Sequence, residues 1–315
     1  TIQMNYQIPI LSLKKSSKHH KHLRIKSIKK KNARIKYNFN MKITIIGNGY
    51  TTKFLAEYAL NDGYEVSIIT RNIANPKKNI HYLNFFDTNN VKKKLINENI
   101  ISTVPFNEAG SDPVLKKYGE SISLNKNVII YYSATSVYGS GIVDENSIPS
   151  PKFKRGLIRL SCEKEWIKAN PNVSIFRISG IYGPNRHPMI KYLQGDNEII
   201  VKEDYISNRI HVEDLSSLTL QFLKNNYQEK ILNISDQKKI SNYDAIKFVS
   251  DELNLVKPKV VIYDPKKVSK MLNSFYEVDR TVKSNVINHK ISYKFKHPDY
   301  KLALLGLTKS LLDSD

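Results

Sequence analysis

The sequence predicts an α/β protein: a doubly wound parallel sheet with helices on both faces, followed by a smaller C-terminal α+β lobe. Three observations predict it. Residues 42–71 read as strand, glycine turn, helix and strand. Four further short apolar runs rich in Ile, Val and Tyr follow, with helix-length segments between them, the pattern of parallel strands joined by crossover helices. From about Pro184 the rhythm changes to shorter strands and helices, the mark of a separate lobe.

The first unit begins with the apolar run 43–46, too short for a helix and rich in Ile, so a buried strand. Gly47 and Gly49 follow at once, and then Phe54, Leu55, Tyr58 and Ala59 fall at helical spacing. Gly63 stops the helix, and 66–70 is a second apolar strand. In such a unit the chain turns sharply at the first glycine. At the second it lets a pyrophosphate approach the backbone, and the helix N-terminus offers unpaired N–H groups to that anion. Gly47, Asn48, Gly49, Tyr50 and Thr51 are the expected dinucleotide contacts. The third glycine of the fingerprint is Thr52, which predicts looser helix–strand packing. The second strand ends on Thr70-Arg71-Asn72 without the acid that would bind the ribose hydroxyls of NAD; Arg71 suits a 2′-phosphate, so NADP is expected ahead of NAD.

Further strands are expected at 80–85, 100–104, 128–132 and 174–178, with helices at 89–97 and 154–169. Asp87 stands where an acid contacts an adenine amino group or caps the next helix. Ligands of such sheets gather at the carboxyl ends of the strands, where Gly47, Arg71, Pro105, Ser133 and Gly180 fall. The expected organisation is a basic leader at 1–40, a dinucleotide-binding core at 41–183, and a substrate lobe at 184–315. The lobe returns to the core through 212–223 and 231–234.

The chain has 315 residues, 40% of them hydrophobic, and no apolar run approaches the roughly 18–20 residues that cross a membrane. A single cysteine, Cys162, excludes an internal disulfide and a cysteine-built zinc site, and no metal is expected. The formal net charge is +21, and the first 40 residues hold 11 Lys and Arg and no acid. Such a segment reads as an organelle transit peptide or a polybasic nucleic-acid arm, or has no role in the protein that starts to be recognisable at Met41. The matching locations are an organelle, plastid ahead of mitochondrion, or the cytoplasm if the leader is not a targeting sequence.

At V-Y-G (137–139), R-I-S-G-I-Y-G-P (177–184) and R-I-H-V-E-D-L (209–215) the sequence resembles the extended short-chain dehydrogenase/reductases, the superfamily of nucleotide-sugar epimerases and dehydratases. It is most similar to their atypical NAD(P)-binding members. The resemblance implies a Rossmann domain, a substrate lobe, and a catalytic Ser or Thr with a Tyr-x-x-x-Lys pair. This chain departs from that set throughout. The hydroxyl position is Ala134, flanked by Ser133 and Thr135; the Tyr position is Arg155 and the Lys position Arg159. An arginine does not shuttle protons near neutral pH, because its pKa lies above ~12.

Tyr138 and Tyr182 remain as weak proton-donor candidates, with packing as the alternative for both. Ser133, Thr135, Arg155 and Arg209 are substrate-binding candidates, and Arg159 is grouped with the cofactor contacts. Arg177, inside an apolar strand, is expected to pair with an acid, and Asp214 to cap a helix. The readings are an atypical NADP-dependent reductase or epimerase on a phosphorylated or nucleotide-linked small molecule, a catalytically silent NADP-binding regulatory protein, or a relative of plastid RNA-binding members. No aromatic-plus-basic platform for single strands is visible in the sequence.

Overall fold

The computed structural model describes residues 41–313, apart from 204, 207 and 237. The readings of the leader at 1–40 lie outside the described residues. From β1 (Lys42–Ile46) the chain passes through α1 (Tyr50–Asn61), β2 (Glu65–Thr70), β3 (His81–Asn84), α2 (Thr88–Asn97), β4 (Asn99–Ser102), α3 (Pro113–Leu124) and β5 (Ile129–Ala134). The short β6 (Gly141–Val143), α4 (Lys154–Ala169), β7 (Val173–Ile178), β8 (Gly180–Tyr182), α5 (Met189–Leu193) and β9 (Glu198–Val201) come next. Then follow β10 (Arg209–His211), α6 (Val212–Lys224), β11 (Ile231–Ile234), α7 (Asn242–Glu252), β12 (Lys259–Ile262), α8 (Lys270–Tyr276), β13 (Arg280–Val282) and α9 (Tyr300–Leu312).

Seven strands form one sheet in the order β11-β7-β5-β4-β1-β2-β3, and every pairing is parallel. The strands are apolar runs because both faces are covered. On one face α1 and α6 bury Leu55, Ala59, Leu215, Leu218 and Phe222 against Ile43, Ile45 and Ile68. On the other, α2, α3 and α4 bury Leu95, Val114, Tyr118 and Trp166 against Ile46, Ile69 and Ile129. Each such fully buried side chain stabilises the fold by roughly 1.5–3 kcal/mol. The expected return of the late segments is observed: α6 packs on α1, and β11 adds the seventh strand beside β7.

The strand order reverses between β1 and β4, which opens a crevice at their carboxyl ends. Beyond the sheet, β9 pairs with β12, β8 with β10 and β6 with β13, each as a separate two-stranded parallel ribbon. Helices α5, α7 and α9 close a smaller core around Met189, Ala245, Val249 and Leu304. Element ends differ from the sequence reading by one or two residues, and α4 coincides with it. Among the described residues no helix is long and apolar enough to cross a membrane.

Candidate functional site

The crevice is built around the β1–α1 turn. Gly47 sits at φ +106°, and a Cβ there would lie 2.6 Å from Thr103 Oγ1. Only glycine accepts that conformation and that proximity without strain. A Cβ on Gly49 would meet nothing within 4 Å, so the space over the second glycine is open. Helix α1 starts at Tyr50 with no side-chain cap, leaving the amides of Tyr50, Thr51 and Thr52 to face the crevice. Asn48 and Thr51 are half-buried beside them.

Thr52 corrects the sequence reading. It is fully buried, and its hydroxyl is 3.1 Å from that of Thr103, which donates to the Ile46 carbonyl at 3.0 Å. The hydroxyls fasten helix to strand where looser packing was expected. One neighbour of the turn, Arg186, was not singled out from sequence. The Tyr50 hydroxyl donates to the Pro184 carbonyl at 3.0 Å, and Arg186 lies over the Tyr50 ring at 5.2 Å, so the I-Y-G-P-N-R segment is clamped against the turn. Burial pushes the Tyr50 phenol up to about 12, while Arg186 pulls the other way.

Arg71 is exposed at the end of β2. Asp87 takes the capping role: it accepts from Asn90 N and, at 2.8 Å, from Asn90 Nδ2 at the start of α2. Pro105 is exposed just beyond β4.

Helix α4 carries Arg155 and Arg159, the positions where the resemblance places a Tyr and a Lys. Arg155, Arg159 and Glu163 are four residues apart and share one stripe. Arg155 is exposed, with no hydrogen bond or ion pair among the described residues. Arg159 turns inward, its Nη1 donating to the Tyr131 hydroxyl at 3.0 Å, with its guanidinium 5.0 Å from the Phe106 ring. Glu163 is the acid expected for Arg177, and holds it through contacts of 2.7 to 3.2 Å.

That pair engages two candidates, Ser133 and Tyr138. Ser133 Oγ donates to Glu163 Oε1, so it does not face a substrate. Tyr138 is fully buried; it accepts from Arg177 Nη1 at 2.8 Å and donates to Asn233 Oδ1 at 2.9 Å, which leaves it no proton to deliver. Thr135 holds Arg280 through its carbonyl. Ala134 ends β5 with a methyl group where the resemblance places a hydroxyl. The signal for this network was Glu163 itself, an acid on the buried stripe of α4, but its partners lie 14 and 30 residues away.

In the lobe, Arg209 does not reach for a substrate anion. It is buried, donates to the Ile240 carbonyl at 2.9 Å and to Asn242 Oδ1 at 3.3 Å, and lies over Tyr300. Tyr182 is buried edge-on against His211 and Tyr300, and burial, then Asp236, raises its phenol well above the ordinary value; that makes it a poor acid. Asp214 does not cap α6. It accepts from Tyr293 Oη and from the amides of Lys296 and His297, while His211 Nδ1 takes the capping role by accepting from Glu213 N at 3.2 Å.

His211, Asp214 and His297 bring ligand atoms within 4.8 Å of one another, the spacing of a metal site. Most of these ligand groups already have protein partners: His211 Nδ1 accepts from Glu213 N, Asp214 accepts from Tyr293 Oη and two amides, and His297 Nε2 lies 3.0 Å from Glu213 Oε2.

No protein-family profile matches the sequence, and no curated protein does. Solved structures do match. A functionally unknown conserved protein from Silicibacter pomeroyi is similar at 25% identity and TM-score 0.76, over 86% of this chain and 99% of that one. A human epimerase family protein with NADPH matches at 15% identity and TM-score 0.66, over 85% and 99%. A UDP-glucuronic acid 4-epimerase from Bacillus cereus in complex with NAD matches at 16% and 0.66, over 86% and 99%.

Proposed function

We propose that the chain is an atypical member of the extended short-chain dehydrogenase/reductases and that it binds a nicotinamide dinucleotide at the β1–α1 turn, NADP(H) ahead of NAD(H). Its role is that of an atypical reductase or epimerase on an anionic small molecule, phosphorylated or nucleotide-linked. One observation carries the binding: a left-handed Gly47, open space over Gly49 and an uncapped helix start meet at the topological switch point of the sheet. Neighbours holding NADPH and NAD support a nicotinamide cofactor. The preference for NADP rests on Arg71, exposed at the end of β2 with no acid beside it.

The chemistry differs from the family's usual relay. Positions 155 and 159 hold guanidinium groups, and Ser133 and Tyr138 are engaged in the Glu163–Arg177 network. Among these groups none offers a transferable proton, so in an enzyme the proton would come from solvent or from the substrate. The same observation favours a second reading, a catalytically silent NADP-binding regulatory protein.

Titration with NADPH and NADH tests the cofactor. The expected result is NADPH binding roughly ten- to a hundredfold tighter, the worth of one charged hydrogen bond, with Arg71→Asp inverting the order. Equal affinities in the parent protein would sink the NADP preference, and binding of neither would sink the dinucleotide site. NADPH oxidation across nucleotide sugars and phosphorylated carbonyl compounds separates the enzyme from the silent protein.

A further inference from the structure

Arg159 is a buried cation that makes no salt bridge among the described residues, although the Asp112 carboxylate is near enough to feel its charge. The residue is 8% exposed, and the acceptors on its Nη1 are neutral: the Tyr131 hydroxyl and, at 3.5 Å, the Tyr132 carbonyl. Helical spacing places two charged residues one turn away. Arg155 repels it, and Glu163 is already engaged by Arg177. Asp112, on the sheet side, uses one oxygen to cap α3 and the other on Trp166 Nε1. A buried guanidinium held by neutral groups recovers only part of its lost hydration.

Among the described residues its hydrogen bonds are made by Nη1, and the residue lines a neighbouring cleft of about 470 Å³. Pro105, Phe106, Glu108, Lys154 and Arg155 line that cleft with it. Three of those groups are cations and one is an acid.

We propose that this cleft is an oxyanion subsite. Arg159 at its floor and Arg155 at its mouth take the carboxylate or phosphate of a small substrate, whose apolar or ring portion lies against Pro105 and Phe106. Two remaining N–H directions on a fixed guanidinium match a bidentate oxyanion. The proposal rests on the dinucleotide reading in one respect, the assignment of the anion to a substrate and not to the cofactor. The cofactor's phosphates belong at the ends of β1 and β2. The cleft begins beyond β4, which neighbours β1 at about 5 Å, the usual strand spacing, so competition with NADPH is what separates the two assignments.

The chain reports on this site by itself. Trp166 is the single tryptophan, and it stacks at 5.2 Å on Tyr131, whose hydroxyl accepts from Arg159. The full chain is titrated with benzoate, phenyl phosphate and neutral benzamide at fixed ionic strength, with and without NADPH, following tryptophan emission. At least one anion gives a saturable change with Kd on the order of millimolar, and benzamide gives none. The anion that binds distinguishes a carboxylate from a phosphate substrate. Arg155→Gln weakens the response about tenfold, and Arg159→Gln removes it. Arg159→Lys, which keeps the charge and loses the fork, also weakens it, and thermal melts confirm that each variant is folded.

Absence of any anion response up to ~50 mM overturns the proposal. So does an unchanged response in both Arg155→Gln and Arg159→Gln. Anions that displace NADPH overturn it too, since the cleft would then hold the cofactor's own phosphate. If anions bind and NADPH does not, the dinucleotide reading falls and the subsite stands.

Discussion

At Gly47 the left-handed backbone and the Thr103 hydroxyl both exclude a side chain, whereas at Gly49 the protein excludes nothing. The two glycines therefore answer different questions. Gly47→Ala strains the turn and displaces the Thr103–Ile46 hydrogen bond; the expected loss is roughly 2–4 kcal/mol in denaturant unfolding. Gly49→Ala, at φ −91°, leaves the melting temperature unchanged or slightly higher and weakens NADPH binding, because the new methyl group occupies the ligand's path. If Gly49→Ala binds NADPH as the parent does, the pyrophosphate is not at this turn. The spacing of Gly47 and Gly49 was legible in the sequence. The part played by Thr52 was not, because its partner Thr103 is 51 residues away and reaches it only through the parallel pairing of β1 and β4.

Helix α4 shows the same division one scale up. Its limits, 154–169, were legible as a helix-length segment between two strands, and so were the arginines at 155 and 159. The direction each side chain takes was not legible: Arg155 faces out, Arg159 turns in, and Glu163 binds across to β7. Arg209 was misjudged for the same reason, since sequence position puts a residue near a strand end but does not say which neighbour engages it first. The Glu163–Arg177 pair is the electrostatic tie of α4 to the sheet, and both residues are almost fully buried. Glu163→Leu leaves Arg177 buried and unpaired, and should cost about 3–5 kcal/mol. Adding Arg177→Met should recover part of that loss, which a double-mutant cycle in thermal or chemical unfolding measures. Equal losses in the single and double variants would mean that the pair is not what holds α4 down.

Over the whole molecule, two buried groups set opposing pH dependences. Burial, only partly offset by Arg209, raises Asp236 to about 7. The folded chain keeps that proton up to about pH 7 and the unfolded chain loses it near ~3.9, so this group makes stability fall as pH rises across that window. Burial and the adjacent His297 lower His211 to about 3. Unfolded, that ring takes a proton near ~6.5, so its contribution is lost as pH falls from there towards 3. Asp236→Asn should therefore raise stability by roughly 2–4 kcal/mol at pH 8 and leave it little changed at pH 4. His211→Gln should flatten the acid limb. Melts at several pH values check both, and an Asp236→Asn protein that gains nothing above pH 7 would show that the carboxyl is ionised in the fold without penalty.

The position of β11 also bears on how the chain emerges from a ribosome. Strand β7, V-S-I-F-R-I, pairs with β5 on one side and waits for β11 on the other, and between them in sequence lie β8, β9, β10 and two helices. At 5–20 residues per second, an apolar strand edge stays bare for several seconds of synthesis, a template for pairing with another nascent chain.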